Sequence, residues 1–465
     1  MSERPPESSQ AMADAFWARP PAKRRLTDLA AAFQRGDVTP REASEALSRR
    51  AAALADVARE TFVSVDPARL TDQADAQQAL QAAGEAPRAL SGVPVSIKDL
   101  FDVRGEVTRA GSRVLEASLP ATKDAPAVTR LRQAGALLAG RTTMSEFAFS
   151  GLGLNPHVGT PPNPFDATCI TGGSTSGGAA SVAFGLAAAA LGSDTGGSLR
   201  IPAAFCGLVG FKPSQSSVSG EGAYPLSPSL DCVGPIAPSV ACCATLWEVL
   251  SGQTVTLDAT PRPLRLAMPD GALLEELDDE VAAAFEEAVA SLRRRGWHIE
   301  RLPLAAVEDA HAINLQGGLV VPEAAALHRE QLAAHEADYD PFIAERLRGG
   351  REVLASDYLD RLWPRPGIQT RFAAELVGFD AVLLPTVAML PPERRPLETN
   401  AEAFQAANRR ALRNTSVFNY LDASAISLPY TAAGAELPIG LMLARPQGED
   451  AALLQVACVL EAELG

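Results

Sequence analysis

Strand-type and helix-type segments alternate along the whole chain, and this alternation limits the folds that it can adopt. Short apolar runs such as "GVPVSIK", "ALLAGRTT" and "LRLAM" are typical of buried strands. Helical patterns lie between them, and the clearest is 279–295, which opens on acidic residues and closes on three arginines before a glycine. This order predicts an α/β fold, with a sheet covered by helices on both faces.

The rest of the chain follows the same pattern and shows two departures from it. Further strands are predicted at "GLAAAALGSD", "HIERLPL", "AVLLPT" and "IGLML", and a closing helix at "DAALLQVACVLEAE". The first 24 residues are rich in proline and charge, and we expect them to form an N-terminal arm (1–24). The segment of about 305–410 has the least regular pattern, and we expect it to be helical.

Composition and charge exclude several classes of protein. The 465 residues are 47% hydrophobic and carry a net charge of -15, which disfavours binding to nucleic acid or to an anionic membrane. The first residues lack the apolar core of a signal peptide, and no apolar run is long enough to span a bilayer. The six cysteines form no C-x-x-C pair. We therefore expect a soluble, cytoplasmic protein with no metal site.

Two glycine–serine stretches hold the candidate nucleophiles. Ser174 in "TGGSTSGGAAS" and Ser198 in "DTGGSLR" each follow a Gly-Gly pair. Glycine lets a backbone bring its N–H groups close to a ligand, so the amides of Thr195, Gly196, Gly197 and Ser198 could converge on an oxyanion. Taken singly, each stretch is also compatible with a simple tight turn.

The sequence lacks the other common motifs for such chemistry. It contains no P-loop, no G-x-S-x-G elbow, no S-x-x-K pattern and no H-E-x-x-H. Two serines and a lysine, Lys98, remain. Burial disfavours an ammonium group and lowers its pKa, so a buried Lys98 could accept the proton of a serine. Asp99 and Asp102 would oppose this, and we expect them to point away or to bind backbone amides.

Three long phrases identify the chain as a member of the amidase signature family over roughly residues 25–465. They are "GVPVSIKDLFDV", "TGGSTSGGAASVAFG" and "LGSDTGGSLRIPAAFCGLVGFKPS". The resemblance implies one amidase signature domain (25–465) with a central mixed β-sheet flanked by helices. Within it, the segment of about 305–410 would be the variable helical part that forms the substrate pocket.

The resemblance also implies the roles of individual residues. Ser198 would be the nucleophile, Ser174 the proton relay and Lys98 the base, with a cis peptide bond before Ser174. Thr175 stands where the family usually has a second serine, and its hydroxyl should preserve the network. The supporting network would consist of Gly173, Thr175, Asp194 and Arg200.

The function implied is that of a serine-type amidohydrolase that cleaves the C–N bond of a small amide through an acyl-enzyme. Carbamates, urea-type compounds and esters stay open as substrates, and no metal or organic cofactor is expected. The partner would be a small-molecule amide, with no nucleic acid and no membrane, and the protein a monomer or homodimer. Two alternatives stay open: the A subunit of a tRNA-dependent amidotransferase and a catalytically silent binding protein on the same fold.

Overall fold

An eleven-stranded mixed sheet runs through the computed structural model, which describes residues 8–464 of the chain. Its spatial order is β1-β3-β2-β4-β6-β5-β10-β11-β9-β7-β8. In chain order the strands are β1 (Phe62–Ser64), β2 (Pro94–Lys98), β3 (Leu137–Thr142), β4 (Ala189–Asp194), β5 (Val209–Lys212), β6 (Cys232–Ala237), β7 (Arg265–Pro269), β8 (His298–Leu302), β9 (Ala381–Pro385), β10 (Ser424–Tyr430) and β11 (Ile439–Arg445).

Helices account for most of the remaining chain in residues 8–464. In order they are α1 (Ser9–Ala18), α2 (Leu26–Arg35), α3 (Pro40–Ala53), α4 (Ala55–Thr61), α5 (Pro67–Ala82), α6 (Pro126–Gln133), α7 (Ser176–Ala183), α8 (Arg200–Phe205), α9 (Val240–Ser251), α10 (Asp279–Arg294), α11 (Ala305–Leu315), α12 (Val320–Leu327), α13 (Arg329–His335), α14 (Pro341–Gly350), α15 (Ala355–Leu362), α16 (Arg365–Glu375), α17 (Arg394–Thr399), α18 (Ala401–Tyr420) and α19 (Asp450–Leu464).

Parallel and antiparallel pairs occupy different parts of the sheet. Strand β2 runs parallel to both β3 and β4, and β7 runs parallel to both β8 and β9. The strands between these two groups pair antiparallel, from β4 through β6, β5, β10 and β11 to β9. The sheet is therefore mixed, as the resemblance implies.

Both faces of the sheet are buried under helices. In β11, Leu441 and Leu443 belong to the core cluster that also contains buried residues of α9 and α19. Met442 and Ala444, which alternate with them, belong to a second cluster with residues of α11, α16 and α18. Successive side chains of a strand point to opposite faces, so helices cover the sheet on both sides as the alternating pattern predicts.

The predicted elements are present, but four strands were missed. The strands predicted around β2, β3, β4, β7, β8, β9 and β11 and the helices α10 and α19 are all confirmed. Strands β1, β5, β6 and β10 were not predicted, because they are short or contain proline, which disfavours a central strand. In β6, Pro235 is tolerated because the ladder to β5 covers only Ile236 and Ala237.

The segment assigned to an N-terminal arm contains a packed helix within its described residues, while residues 1–7 lie outside them. Helix α1 packs on α3, and the Trp17 indole N–H donates to the carbonyl oxygen of Ala43 at 2.9 Å. Arg24 is buried and donates to the carbonyl oxygens of Arg19 and Ala183. These contacts join residues 8–24 to the body of the fold.

The segment of about 305–410 is helical, as expected, from α11 into α18, with β9 inserted into the sheet. The six cysteines are free and buried. Among residues 8–464, no helix combines the length and the apolar character needed to cross a lipid bilayer.

We predict that Leu443→Ala lowers the free energy of unfolding by about 2–5 kcal/mol, because it leaves a cavity in a fully buried central strand. The matched control is Leu119→Ala, at a position that is 90% exposed, which should change the free energy by about 0.5 kcal/mol or less. Urea denaturation monitored by circular dichroism measures both. Equal effects of the two substitutions would contradict this account of the core.

Candidate active site

The carboxyl ends of two neighbouring parallel strands place the first residues of the site. Lys98 is the last residue of β2, and Ser193 and Asp194 end β4. The register pairs Ile97 with Leu191, which brings the Lys98 side chain beside the end of β4. The carboxyl ends of parallel strands are where α/β sheets commonly bind ligands.

Lys98 is fully buried, and its Nζ contacts two hydroxyl groups and, at 3.4 Å, the carbonyl oxygen of Ser193, but no carboxylate of residues 8–464. Its Nζ lies 2.8 Å from Ser174 Oγ and 2.9 Å from Ser193 Oγ. Burial lowers the pKa of Lys98 to about 7, although the negative charges of Asp194 and Asp231 partly oppose this shift. A substantial fraction of Lys98 is therefore neutral near pH 7 and able to accept a proton.

The two aspartates that follow Lys98 in sequence are engaged elsewhere, as predicted. Asp99 accepts the N–H of Gly111 at 3.2 Å and pairs with Arg141, and Asp102 accepts the Thr108 hydroxyl at 2.6 Å. Burial raises the pKa of Asp99, while Arg141 opposes that shift. Neither aspartate is among the groups that shift the pKa of Lys98.

Ser174 is held between Lys98 and the segment that carries Ser198. The peptide bond between Gly173 and Ser174 is cis, as the resemblance implies. The Thr175 N–H donates to the carbonyl oxygen of Ser198 at 3.3 Å. The Thr175 hydroxyl donates to the carbonyl oxygen of Ser193 at 3.3 Å. Thr175 thus links the three segments around Lys98, and its hydroxyl is engaged as expected.

Gly173 is required because the backbone of a neighbouring loop passes very close to it. A Cβ atom added at Gly173 would lie 2.5 Å from the nitrogen of Gly153 and 2.7 Å from its Cα. The Gly173 N–H also donates to the carbonyl oxygen of Gly151 at 2.8 Å. Any side chain here would displace the segment that positions Ser174.

Ser198 stands at the wall of a cavity of about 380 Å³, with 3% of its surface exposed. Within residues 8–464 no hydrogen bond joins its hydroxyl to that of Ser174. Side chains from α11, α14 and α18 complete the cavity wall, so the segment of about 305–410 contributes to it. The structure thus places a serine hydroxyl where a small molecule could reach it.

A buried ion pair shapes the turn that carries Ser198. Arg200 donates to both carboxylate oxygens of Asp194, at 2.9 and 3.0 Å, and both side chains are fully buried. Asp194 also accepts the backbone N–H groups of Gly197 and Leu199 at 2.8 and 3.1 Å. Burial raises the pKa of Asp194, but the charge and hydrogen bonds of Arg200 outweigh it and lower the pKa to about 2. The carboxylate therefore stays ionised and fixes both sides of Ser198.

The hydrogen bond that the Gly197 N–H donates to Asp194 removes one of the four expected oxyanion donors. Because that N–H is already donated, Gly197 is not available as an oxyanion donor, contrary to the expectation from the sequence. The amides of Thr195, Gly196 and Ser198 donate to no protein acceptor within residues 8–464. These three N–H groups border the cavity and stay available to a ligand.

Helix α18 contributes two positioning residues that sequence reasoning missed. The amide of Asn419 donates to Asp194 Oδ1 at 2.8 Å and its oxygen accepts from Arg200 at 2.6 Å. The Thr415 hydroxyl donates to the carbonyl oxygen of Gly196 at 2.6 Å. A Cβ atom at Gly197, where φ is +137°, would lie 2.2 Å from that hydroxyl. More than 200 residues separate the two segments, so only the fold reveals their contact.

Ser193 and Asp231 were also missed, and both lie beside the predicted residues. Ser193 supplies the second hydroxyl contact of Lys98. Asp231 accepts the Thr195 hydroxyl at 2.6 Å and the N–H groups of Leu226 and Ser227. Burial raises the pKa of Asp231 to about 6, although those hydrogen bonds oppose the shift. Ser193 directly precedes "DTGGSLR", and this position next to the candidate nucleophile segment could have marked it as a site residue.

No group of three or more His, Cys, Asp and Glu side chains that could hold a metal ion occurs within residues 8–464.

Known proteins resemble this chain over most of its length. The profile of the Amidase family matches residues 42–454. The 2-amino-5-chloromuconic acid deaminase of Comamonas testosteroni is 35% identical over 410 residues, which are 86% of this chain and 87% of that protein. The mandelamide hydrolase of Pseudomonas putida is 32% identical over 472 residues, 95% of this chain and 91% of that protein.

Solved structures show the same fold over nearly the whole chain. The crystal structure of an amidase superposes with a TM-score of 0.86 at 34% identity, covering 95% of this chain and 100% of that one.

A subunits of glutamyl-tRNA(Gln) amidotransferases also occur among the relatives matched by sequence. The A subunit of Geobacter metallireducens is 31% identical over 90% of this chain and 93% of that protein.

We predict that Arg200→Met lowers the free energy of unfolding by about 3–5 kcal/mol near pH 7, because it leaves the Asp194 carboxylate buried without its partner. In the wild type the pKa of Asp194 lies below its ordinary value of 3.8, so the pair stabilises the fold above that pH. This stabilisation should be lost as the pH falls towards about 2.

The control for this prediction is Arg41→Met, which removes exposed ion pairs with Glu45 and Asp75 and should leave the free energy of unfolding nearly unchanged. Urea denaturation at several pH values measures both variants. An Arg200→Met protein as stable as Arg41→Met at pH 7 would show that the buried pair is not needed.

Proposed function

The chain belongs to the amidase family, whose members hydrolyse amide C–N bonds, and we propose that Ser198, Ser174 and Lys98 are its catalytic residues. Ser198 is the nucleophile, Ser174 relays the proton and Lys98 is the base. The observation that carries this proposal is the position of the fully buried Lys98, 2.8 Å from Ser174 Oγ and beside the segment that carries Ser198.

Acylation follows from the order of these groups. Ser198 Oγ attacks the carbonyl carbon of the amide, and its proton passes to Ser174 Oγ while the Ser174 proton moves to Lys98 Nζ. The carbonyl π electrons move to oxygen, and the N–H groups of Thr195, Gly196 and Ser198 stabilise the resulting oxyanion. The proton then returns through Ser174 to the leaving nitrogen, the C–N bond breaks, and the amine departs.

Deacylation uses the same groups in the same order. A water molecule attacks the ester carbonyl of the acyl-enzyme, and its proton passes through Ser174 to Lys98. The tetrahedral intermediate collapses with return of that proton to Ser198 Oγ, which releases the carboxylic acid. The free enzyme is restored without any other reactant than water.

The electrostatics around Lys98 support its role as a base. A carboxylate beside the amine would hold the proton on Lys98, but the nearest strand-end carboxylate, Asp194, is ion-paired with Arg200. Lys98 contacts the hydroxyls of Ser174 and Ser193, which can donate to a neutral amine, and at 3.4 Å the carbonyl oxygen of Ser193. Burial and the lack of a carboxylate paired with Lys98 within residues 8–464 therefore both favour the neutral amine.

The size of the cavity and the names of the relatives favour a small-molecule substrate. A volume of about 380 Å³ lies within the range of small-ligand sites. The two relatives described above act, by their names, on 2-amino-5-chloromuconic acid and on mandelamide. We propose that this enzyme acts on a small amide, in the cytoplasm, as a monomer or homodimer.

A second candidate function is that of an amidotransferase A subunit, which the match to the Geobacter metallireducens protein favours. An A subunit works with other subunits, whereas a free-standing amidase needs none. The purified chain assayed alone for ammonia release from simple amides separates the two. Turnover that appears only when partner subunits are added would favour the amidotransferase.

We predict that Ser198→Ala abolishes covalent labelling by a fluorophosphonate and lowers amide turnover by at least about 1,000-fold, because the attacking oxygen is gone. Ser416→Ala is the matched control, since Ser416 lines the same cavity and should leave labelling at Ser198 intact. Mass spectrometry of the labelled peptide and an ammonia assay give the two readouts. Labelling that persists in a folded Ser198→Ala protein would exclude Ser198 as the nucleophile.

We predict that kcat/KM rises with pH through about 7, because protonated Lys98 cannot accept a proton and its pKa is about 7. Lys98→Met should lose nearly all turnover together with this rise. The controls are the five histidine-to-alanine variants, which should keep the rise: His157, His298, His311, His328 and His335. If one of them abolishes the rise while Lys98→Met retains it, the lysine-base mechanism is wrong.

A further inference from the structure

The wall of the cavity is basic, although the chain as a whole is strongly acidic. Three arginines and one histidine line it, and no aspartate or glutamate is among the lining residues: Arg346, Arg409, Arg413 and His311. The whole chain has 56 acidic and 41 basic residues, for a net charge of -15. A concentration of positive charge at this one place favours an anionic ligand by focusing the local potential.

Arg346 on α14 is more deeply buried than Arg413, and no acidic side chain of residues 8–464 pairs with it. One of its N–H groups donates to the carbonyl oxygen of Phe149, and its guanidinium carbon lies 4.0 Å from the centre of the Phe149 ring. Burial lowers the pKa of Arg346 to about 10, and no carboxylate of residues 8–464 offsets that shift. A partly buried guanidinium without a counter-ion is costly, and a bound carboxylate would relieve that cost.

Helix α18 presents a second cation to the same cavity. Gln405, Arg409 and Arg413 follow one another at intervals of four residues and therefore lie on one face of the helix. Arg413 donates to Asn414 Oδ1 at 3.0 Å and to the carbonyl oxygen of Leu273 at 3.3 Å, both uncharged acceptors. Burial and then the charge of Arg410 lower the pKa of Arg413, while Glu276 and Glu275 offset part of this shift.

His311 on α11 adds a neutral polar group next to this cation. Burial, followed by the charge of Arg413, lowers the pKa of His311 below its ordinary value. The imidazole therefore stays neutral at pH 7 and supplies a hydrogen-bond donor and an acceptor rather than a further charge. Nearby, the Asn314 amide donates to Ser416 Oγ at 3.1 Å. The wall thus combines fixed cations with neutral hydrogen-bonding groups.

From these contacts we propose that the substrate is an amide whose acyl part also carries a carboxylate, and that Arg346 binds this carboxylate. The proposal rests on the proposed function, because the same cavity ends at Ser198. The planar guanidinium matches a carboxylate in two parallel hydrogen bonds, and the N–H groups of Arg346 that Phe149 does not use are available for them. Arg413 adds a second attraction from the α18 side.

A structural role for Arg346 alone explains less of what is observed. Stacking on Phe149 and one bond to its carbonyl oxygen need neither a second cation on α18 nor a wall without carboxylates. A cavity for neutral amides would be expected to pair a buried arginine with an acid of the protein itself. Recognition of a ligand carboxylate accounts for the unpaired guanidinium and for the charge of the wall together.

The test compares binding of 4-carbamoylbenzoate with that of 4-nitrobenzamide, a planar and neutral compound of similar shape. Calorimetric titration of the Ser198→Ala protein measures binding without turnover, so the result does not depend on whether the amide is hydrolysed. We expect the anionic amide to bind at least about tenfold more tightly, the scale of a charged hydrogen bond. In the wild type, kcat/KM for the two amides should differ in the same direction.

Substitutions assign the preference to Arg346. In the Ser198→Ala background, Arg346→Met should bring the ratio of the two dissociation constants close to one, and Arg346→Lys should retain part of the preference. The matched control is Arg348→Met, two residues further along α14, where the guanidinium is half exposed and pairs with Glu336. It removes the same charge from the same helix and should leave the ratio unchanged.

Three outcomes would overturn the proposal. The first is equal binding of the two amides, which includes no detectable binding of either. The second is an unchanged ratio of the two dissociation constants in a folded Arg346→Met protein. The third is a loss of the anion preference in Arg348→Met that equals the loss in Arg346→Met. If Arg346→Met does not fold, the comparison within the parent protein and in Arg346→Lys still decides. Failure of the wild type to hydrolyse any amide, with the anion preference intact, would instead count against the proposed function alone.

Discussion

The buried ion pair between Asp194 and Arg200 is the interaction on which the rest of the site depends. Its carboxylate binds the backbone N–H groups on both sides of Ser198, and its guanidinium reaches α18 through Thr415 and Asn419. Removing one partner of a buried ion pair is costly because the other charge is left unpaired, and the pair is strongly directional once its partners surround it. Here the hydrogen bonds of Asp194 fix the turn that carries Ser198 and leave the amides of Thr195, Gly196 and Ser198 free to face the cavity.

The same pair also bears on the protonation of Lys98. Asp194 raises the pKa of the lysine, but burial lowers it more, and the net result is a pKa of about 7. If Asp194 were not shared among Arg200, Asn419 and two backbone amides, its charge would act on the lysine with less competition. The proposed base and the geometry of the proposed nucleophile therefore share one electrostatic network, which ties β2, β4 and α18 together.

The proposed catalytic groups and the cavity wall come from different parts of the chain. Close-packed glycines and small residues at the ends of the strands hold the proposed catalytic groups, as the contact of Gly173 with Gly153 shows. The helices after 305 supply the polar wall, including the unpaired Arg346 and the cation of Arg413. Sites of this kind keep their reacting groups on the sheet and set their specificity with side chains from connecting segments.

Local patterns in the sequence predicted the α/β class, most strands and the helices α10 and α19, because strand and helix periodicities are local. Glycine–serine phrases, which are also local, pointed to Ser174 and Ser198, and Lys98 was the lysine considered with them. Local patterns missed β1, β5, β6 and β10, which are short or contain proline, so that their strand pattern is not visible in the sequence alone. Only the tertiary structure decided the partners of Asp194, the engagement of the Gly197 amide and the basic wall, because those contacts join segments far apart in sequence. The pKa of Lys98 likewise depends on burial, which no local pattern measures.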